Sequence, residues 1–452
     1  MTLLNELSAE VCQRARMSRD PRFDGRFFVA VKTTGIFCRP ICPANLPKEE
    51  NVEYFSSQAL AVSAGYRPCL RCRPESAPHS WAWKGAETTF LRALTLIEQG
   101  ELDGSLETLA SRLGISDRYL RQLFQRHLGM PPKQYAQIQQ LMFAKQLLHT
   151  SQISITEVAY ASGFQSTRRF NDAFQKLFRL TPTQVRRERA ALPSRNHLSL
   201  AFRGPFDWAH MLDFYRLRAI EGMELVDEQS YQRHFVLGEG TGWFKASMAQ
   251  SHLDIEFEME RLSDLRHLVA RLRRMFDLDA DLISIEAHLE QVAPGLVRRT
   301  GIRIPGVWNA WEAGVRAVLG QQVSVKAAIG QLNLLVSTLA ASEGSTRYFP
   351  TPEQVQMSDL SFLRMPERRK ETLKRLADYV RLHPMDSPMA WLSLSGIGPW
   401  TVDYAQLRGE SRSHCFLTGD LIVKKALAKF PHLTAESVAP WGSYATFHCW
   451  SH

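Results

Sequence analysis

The chain reads as a multidomain protein in which small α+β segments alternate with purely helical ones. Three observations predict this. At 452 residues it exceeds what one hydrophobic core sustains, and such a length argues for roughly three or four domains. Four of its seven cysteines, Cys38, Cys42, Cys69 and Cys72, stand C-x3-C…C-x2-C in one short stretch near the N-terminus. The apolar periodicity then changes twice, from helical to alternating near Asn196 and back to helical near Ile283.

Local grammar places the elements in order. Two loosely structured stretches, Pro74–His79 and Ala190–Asn196, divide the N-terminal half. Between them apolar residues recur at helical spacing in Phe90–Ile97, Leu106–Leu113, Tyr119–Leu128, Ala144–Leu148 and Phe170–Phe178. After Asn196, HLSLAF and HLDIEFEM alternate apolar with polar as half-buried strands do; in the second, Leu253, Ile255, Phe257 and Met259 share one face. Helices are expected at Trp208–Ile220 and Asp264–Met275, completing a small α+β domain. From Ile283 the pattern is helical, with turns at Pro294-Gly295, Pro305-Gly306, Pro350 and Pro384. Domains are therefore expected at 1–80, 84–192, 195–282 and 283–452.

The formal net charge is +9. Residues 1–192 carry 26 Lys and Arg against 17 Asp and Glu, whereas residues 193–452 carry 29 of each. The whole excess thus lies in a region suited to a polyanion, although ordinary soluble proteins carry as much. The remaining cysteines, Cys12, Cys415 and Cys449, are scattered, which argues for a reducing compartment and against a disulfide framework. No apolar signal segment follows Met1 and no long apolar run occurs, so a soluble cytoplasmic protein without a membrane partner is expected.

Four thiolates at this spacing make a closed tetrahedral zinc site with no position for a catalytic water, so any chemistry there must come from a ligand sulfur. Spacing alone equally suits a zinc ribbon that only holds the segment folded. The surrounding strings, VKTTGIFCRPICP (Val31–Pro43) and GYRPCLRCRP (Gly65–Pro74), resemble the N-terminal domain of the Ada methylation-response family. That resemblance implies one Zn2+ per chain, structural and thiolate-activating, held by Cys38, Cys42, Cys69 and Cys72. It also implies that Cys38 accepts a methyl group from a methyl phosphotriester in DNA. Zinc keeps the sulfur deprotonated near neutral pH. Methylation would remove one negative charge, an electrostatic switch expected to strengthen DNA binding. Arg39, Arg67, Arg71 and Arg73 are candidate phosphate contacts, or else solvated surface charges.

Two further segments have helix-turn-helix grammar. In Ser105–Gly129 a short helix ends at Gly114, Ser116 can cap the next, and that helix presents Arg118, Arg121, Gln122 and Gln125. In Ser154–Phe178 the corresponding residues are Gly163 and Ser166, with Thr167, Arg168, Arg169, Asn171 and Gln175 on the second helix. Either alone could be an ordinary helical hairpin. The pair, joined by a helix around Met142–His149 and followed by FRLTPTQVRR, resembles the AraC-type DNA-binding domain, which implies that the two second helices enter successive major-groove segments.

The C-terminal half is marked by LSLSGIGPWTVDYAQLRG (Leu392–Gly409), a Gly396-x-Gly398 hairpin with Pro399 at the first position of the following helix. Free amides at such a turn suit a DNA phosphate and say nothing of catalysis. Asp420 follows in CFLTGDLIVKKAL, after a turn and before a helix. Together these resemble the helix-hairpin-helix DNA glycosylases. EAGVRAVLGQQVSV (Glu312–Val325), WGSYATFHCW (Trp441–Trp450) and GPFDWAHMLDFYRLRAI resemble the AlkA-type alkylbase glycosylases, with their TBP-like α+β domain before an all-α catalytic domain. The resemblance implies a pocket lined by Trp400, Tyr404 and Trp450, in which a flipped cationic purine such as 3-methyladenine stacks. It assigns Asp420 to stabilising the oxocarbenium-like sugar. The bland alternative is that Asp420 caps a helix and the aromatics are core.

Trp400 stands where bifunctional relatives carry a lysine, and indole cannot form a Schiff base, so a monofunctional glycosylase is expected. No C-terminal cysteine quartet is present, so no iron–sulfur cluster is expected. Gln322 occupies the place of an apolar wedge and is assigned to filling the gap left by the flipped base. Trp450 has little chain beyond it to support its wall. A PCHR-like cysteine motif is absent, so O6-methylguanine repair is not expected. The reading is a monomeric alkylation-repair glycosylase fused to a methylation sensor and transcriptional activator, acting on double-stranded alkylated and promoter DNA and working with RNA polymerase. Its rival is a regulator whose glycosylase half only binds damaged DNA.

Overall fold

The computed structural model describes residues 7–72, 74, 77, 81–98, 100, 102, 105–187, 196–340, 342–343, 346–384 and 386–451. Contacts divide the chain into two compact units, Met1–Gln139 and Gln140–His452.

The first unit opens with α1 (Ala9–Met17), β1 (Phe28–Val31), β2 (Ile36–Cys38), β3 (Val52–Phe55), α2 (Gln58–Ser63) and β4 (Arg67–Pro68). The sheet runs β3-β1-β2-β4, with β1 antiparallel to both neighbours and β4 parallel to β2. Alternation in β1 sends Phe28 and Ala30 to one side with Phe37, and Val29 to the other with Phe27 and with Cys12 and Ala15 of α1. Three helices follow, α3 (Trp81–Glu98), α4 (Leu106–Arg112) and α5 (Asp117–Leu128), around Phe90, Ile97, Leu109, Leu120 and Phe124. These match the helices expected from periodicity. The division between units falls inside α6 (Pro132–Thr150).

The second unit continues through α7 (Ile155–Ala161), α8 (Thr167–Phe178) and α9 (Pro182–Arg187). A five-stranded antiparallel sheet follows, built from β5 (His197–Ala201), β6 (Glu224–Val226), β7 (Ser230–Leu237), β8 (Gly240–Met248) and β9 (His252–Met259) in the order β5-β9-β8-β7-β6. α10 (Trp208–Arg216) crosses between β5 and β6 and ends four residues before the Ile220 expected from sequence. Phe164, Phe170 and Phe174 join Leu198, Tyr231, Phe244 and Phe257 in one apolar core, which ties the second helix pair to the sheet.

The remainder is α11 (Leu265–Met275), α12 (Leu282–Val292), α13 (Ala310–Gly320), α14 (Val325–Leu339), α15 (Pro352–Met357), α16 (Glu367–Leu382), α17 (Pro399–Gly409), α18 (Leu421–Lys429) and α19 (Gly442–Trp450). The purely helical expectation is corrected by a two-residue ladder, β10 (Ser342–Glu343) with β11 (Thr346–Arg347). α13 is the axis of this half, buried from Trp311 through Leu319. A Cβ at Gly409 would lie 2.5 Å from Ala310 Cα, so glycine is what lets α17 pack against the start of α13. α13 also carries charge inward. Glu312 meets Arg233 of β7 at 2.5 Å and Arg316 at 2.9 Å, while Glu224 accepts from Arg233 at 3.0 Å and from Arg316 at 3.1 Å. This closed network clamps the sheet to the helical half, because removing one partner would strand a buried charge.

Candidate functional site

Parallel pairing builds the cysteine cluster. β4 aligns Arg67 with Ile36 and Pro68 with Phe37, so the next step along both strands brings Cys69 beside Cys38; Cys69 N donates to Phe37 O at 3.0 Å. The four sulfurs, Cys38, Cys42, Cys69 and Cys72, lie within 4.8 Å of one another, the group with metal-ligand geometry among the described residues. Sulfurs this close cannot all ionise by themselves. The hydrogen bond between Cys38 and Cys72, together with burial, pushes the Cys38 thiol up, while Cys72, as acceptor, is held at about 6. A divalent cation among the sulfurs removes that conflict, so the donor set fits zinc.

Arg39, one of the candidate phosphate contacts, is partly buried and engaged within its own domain. Its Nε donates to Asp24 Oδ1 at 2.8 Å, its Nη2 pairs with Asp24, and its Nη1 donates to Cys72 O at 3.3 Å. Asp24 is buried and requires this partner. Arg67 and Arg71 are exposed; Arg73 lies outside the described residues.

Both helix-turn-helix pairs form as their sequences require. Gly114 has φ +67° and Gly163 φ +86°, the left-handed turns that glycine permits. Ser116 caps α5 through Tyr119 N at 3.2 Å, and Ser166 caps α8 through Arg169 N at 3.5 Å. Arg118, Arg121, Gln122 and Gln125 are exposed on α5, with Arg121 bound to Asp117 at 2.9 Å. Arg168, Arg169, Asn171 and Gln175 are exposed on α8.

The second unit holds a cavity of about 380 Å3 that collects Trp400, Tyr404, Asp420 and Trp450, with Phe214 and Arg218 from the α10 region. Trp400 and Tyr404 stack, one helical turn apart on α17, with ring centroids at 5.3 Å. Trp450, at the end of α19, lies nearly parallel to Phe214 at 6.3 Å and edge-on to Phe447 at 5.0 Å. Its Nε1 donates to Asp420 Oδ1 at 3.1 Å, so this wall is pinned by side-chain contacts. Ser451, just beyond, meets His210 Nε2 at 3.1 Å.

Asp420 has a divided role. It is the N-cap of α18, Oδ1 accepting from Ile422 N at 2.9 Å and Val423 N at 3.2 Å. With Trp450 included, Oδ1 takes three donors, and Oδ2 has no hydrogen-bond partner among the described residues. Cap and cavity carboxylate are therefore the same residue, and the two readings of Asp420 do not compete.

Positive charge gathers at the tyrosine. Burial alone would raise the Tyr404 phenol, but Arg408, Arg218 and Arg316 outweigh it and hold it below the usual tyrosine range. Arg408 Nη1 donates to Tyr404 OH at 2.8 Å.

The hairpin and the loop after α13 are joined. Gly396 has φ +93°, and a Cβ there would lie 2.1 Å from Thr372 Oγ1, so only glycine fits. Gly398 is the N-cap of α17, with Pro399 next as expected. Gln322 is exposed at φ +56°, an uncommon backbone for a residue with a side chain. Its neighbour Gln321 donates from Nε2 to Gly396 O at 3.1 Å and lies 3.2 Å from Thr401 Oγ1. Sequence reasoning missed Gln321, Phe214, Arg218 and His210. The last three lie on or just past α10, one turn apart, and that spacing was the available signal.

Three family profiles match the chain: the metal binding domain of Ada over residues 11–75, a helix-turn-helix domain over 109–188, and the AlkA N-terminal domain over 197–309. A "Probable bifunctional transcriptional activator/DNA repair enzyme AlkA" of Mycobacterium tuberculosis is 34% identical over 98% of this chain and 96% of its own length. "DNA-3-methyladenine glycosylase 2" of Escherichia coli is 33% identical over 56% of this chain and 96% of its own. "Bifunctional transcriptional activator/DNA repair enzyme Ada" of Escherichia coli is 35% identical over 38% of this chain and 47% of its own.

Proposed function

The chain belongs to the family of bifunctional transcriptional activator/DNA repair enzymes of the AlkA and Ada kind, and on that premise we propose which residues carry its activities. It is a DNA alkylation repair protein and regulator: a DNA-3-methyladenine glycosylase fused to a methyl-phosphotriester acceptor and transcriptional activator. On our reading the modules run 1–80, 84–192, 195–282 (TBP-like) and 283–452, one zinc is held per chain, and the protein works as a monomer with RNA polymerase.

For excision, the hairpin at Gly396–Gly398 offers backbone amides to a DNA phosphate, and Gln322 takes the place of the extruded nucleotide. The base enters between Trp400, Tyr404 and Trp450, where a cationic alkylpurine is held by the ring faces. The free Oδ2 of Asp420 faces the sugar, stabilises its growing positive charge and orients the water that attacks the anomeric carbon. The water oxygen joins the sugar and its proton passes to solvent, the base leaves with the glycosidic electron pair, and an abasic site remains. Trp400 offers no amine, so the backbone is not cut. The observation that carries this reading is the division of labour at Asp420, with Oδ1 saturated by Ile422, Val423 and Trp450 and Oδ2 left for the cavity.

For methyl transfer, Cys38, Cys42, Cys69 and Cys72 would hold Zn2+, which keeps their sulfurs ionised near neutral pH. Cys38 is the acceptor: its sulfur attacks the phosphotriester methyl carbon, and the phosphodiester departs with the electron pair. Arg67 and Arg71 contact phosphate, while Arg118, Arg121, Gln122, Arg168 and Arg169 face promoter DNA. Incubation with methylated duplex DNA, scoring released 3-methyladenine and methylated Cys38 in one sample, tests both halves. Methylation without base release would leave a regulator whose second half only binds damage.

A further inference from the structure

Trp450 both walls the cavity and holds Oδ1 of Asp420, and it does so from the last turn of α19. That turn is the part of a helix that backbone bonds hold least, because its carbonyls have lost their donors four residues on. Ser451 caps it. Its N–H reaches Phe447 O and His448 O, both at 3.1 Å, and its hydroxyl donates to Phe447 O at 2.9 Å. A serine hydroxyl has a single hydrogen, and a carbonyl can only accept. With that hydrogen given to Phe447 O, Ser451 Oγ is left as the acceptor of its contact with His210 Nε2 at 3.1 Å. The imidazole is therefore the donor, a role assigned from the network around it. His210 is half-buried, and burial lowers its pKa, so at pH 7 the ring is neutral with its proton on Nε2. His210 and Phe214 stand one turn apart on α10 and grip the same turn of α19. Phe214 does so through its ring, which also meets Phe447 edge-on at 5.6 Å.

We propose that His210 is a positioning residue for excision: through Ser451 it fixes the last turn of α19, and so sets where Trp450 stands against the base and against Asp420. The inference rests on the glycosylase reading above and goes beyond it, giving α10 a part in the chemistry. The path is short. His210 holds Ser451, Ser451 is bonded to Trp450, and Trp450 Nε1 donates to Asp420 Oδ1 at 3.1 Å. Without the imidazole donor, water can satisfy Ser451 Oγ, but water does not tie that oxygen to α10. The turn is then free to rock, which carries the indole away from Asp420 and loosens the aim of Oδ2 at the sugar. Misplacement on the scale of an ångström costs a positioned reaction about 100-fold, and a partial loosening costs less.

The test is single-turnover release of 3-methyladenine from alkylated duplex across a range of protein concentrations, using the full chain. The variants are His210→Ala, His210→Gln, Ser451→Ala and the double variant His210→Ala with Ser451→Ala. His210→Ala should lower the maximal rate about tenfold and shift the half-saturating concentration less than about twofold, since positioning acts on the chemical step. His210→Gln, whose amide can donate to the same oxygen, should return most of that rate. Ser451→Ala should match His210→Ala, and the double variant should be no slower than either, because both remove one contact. A wild-type maximal rate in His210→Ala overturns the proposal, as do losses that multiply in the double variant or a glutamine variant no faster than the alanine one. Should His210→Ala fail to fold, Ser451→Ala leaves α10 intact and decides alone: a wild-type rate there overturns the proposal too. Wild-type protein that releases no 3-methyladenine overturns the glycosylase reading itself.

Discussion

Asp420→Asn isolates the charge of one oxygen. Asparagine caps helices as well as aspartate does, so Oδ1 can keep Ile422, Val423 and Trp450 while an amide replaces the free Oδ2. The helix loses only the favourable charge at its N-terminus, about 0.3–1 kcal/mol. Catalysis loses more. A carboxylate about 4 Å from a developing unit charge contributes about 4 kcal/mol at an effective dielectric of about 20, which corresponds to about a thousandfold in rate. Single-turnover release of 3-methyladenine from alkylated duplex, beside a urea melt, reads both quantities. Asp420→Ala is the companion: it should abolish release equally but cost a further 1 kcal/mol or so, since three donors lose their acceptor. An asparagine variant that retains a tenth of wild-type release would refute the role given to Oδ2. So would an asparagine variant as unstable as the alanine one, because the cap and the charge would then not be separable.

Gln321→Ala should lower stability by about 1–2 kcal/mol through its contacts to Gly396 and Thr401, and should slow excision of a paired lesion more than of one in single-stranded DNA. Loss to the same degree on both substrates would count against a role in placing Gln322. Stripping zinc with a chelator should abolish methylation of Cys38 while base release continues, since the cysteine cluster and the cavity belong to different compact units; parallel assays on one preparation check it. Burial raises buried Asp277 to about 7, against about 3.9 unfolded. The native state therefore keeps a proton that the unfolded chain releases between those values, so this residue's contribution falls by up to about 4 kcal/mol as pH rises from about 4 to 7. Asp277→Asn should flatten stability across that window in denaturant melts at several pH values, and an unchanged slope would exclude Asp277 as its source.

Some elements were legible because one local rule governed them. Gly114 with Ser116, and Gly163 with Ser166, mark turns and caps whose physics involves only neighbours in the chain, and both appear as expected. The HLDIEFEM strand declared its buried face through Leu253, Ile255 and Phe257. β7 did not, because Arg233 occupies a buried position that reads as solvent-facing until Glu312 arrives from α13 to neutralise it. Arg39 reversed the error: it looked like a surface cation, yet Asp24 folds it inward.

The amino-acid order by itself determined the composition of the sites: four thiols at ligand spacing, a hairpin that needs glycine at Gly396, an acid placed where a helix begins. Which atoms remained available was decided only in three dimensions. Oδ1 of Asp420 is saturated because α19 returns Trp450 to it across thirty residues, and Arg218 lies in the cavity because Arg316 and the Phe214 ring hold it there. Spacing encodes chemistry that neighbours complete, whereas the last free lone pair or N–H depends on every distant group that packs against it.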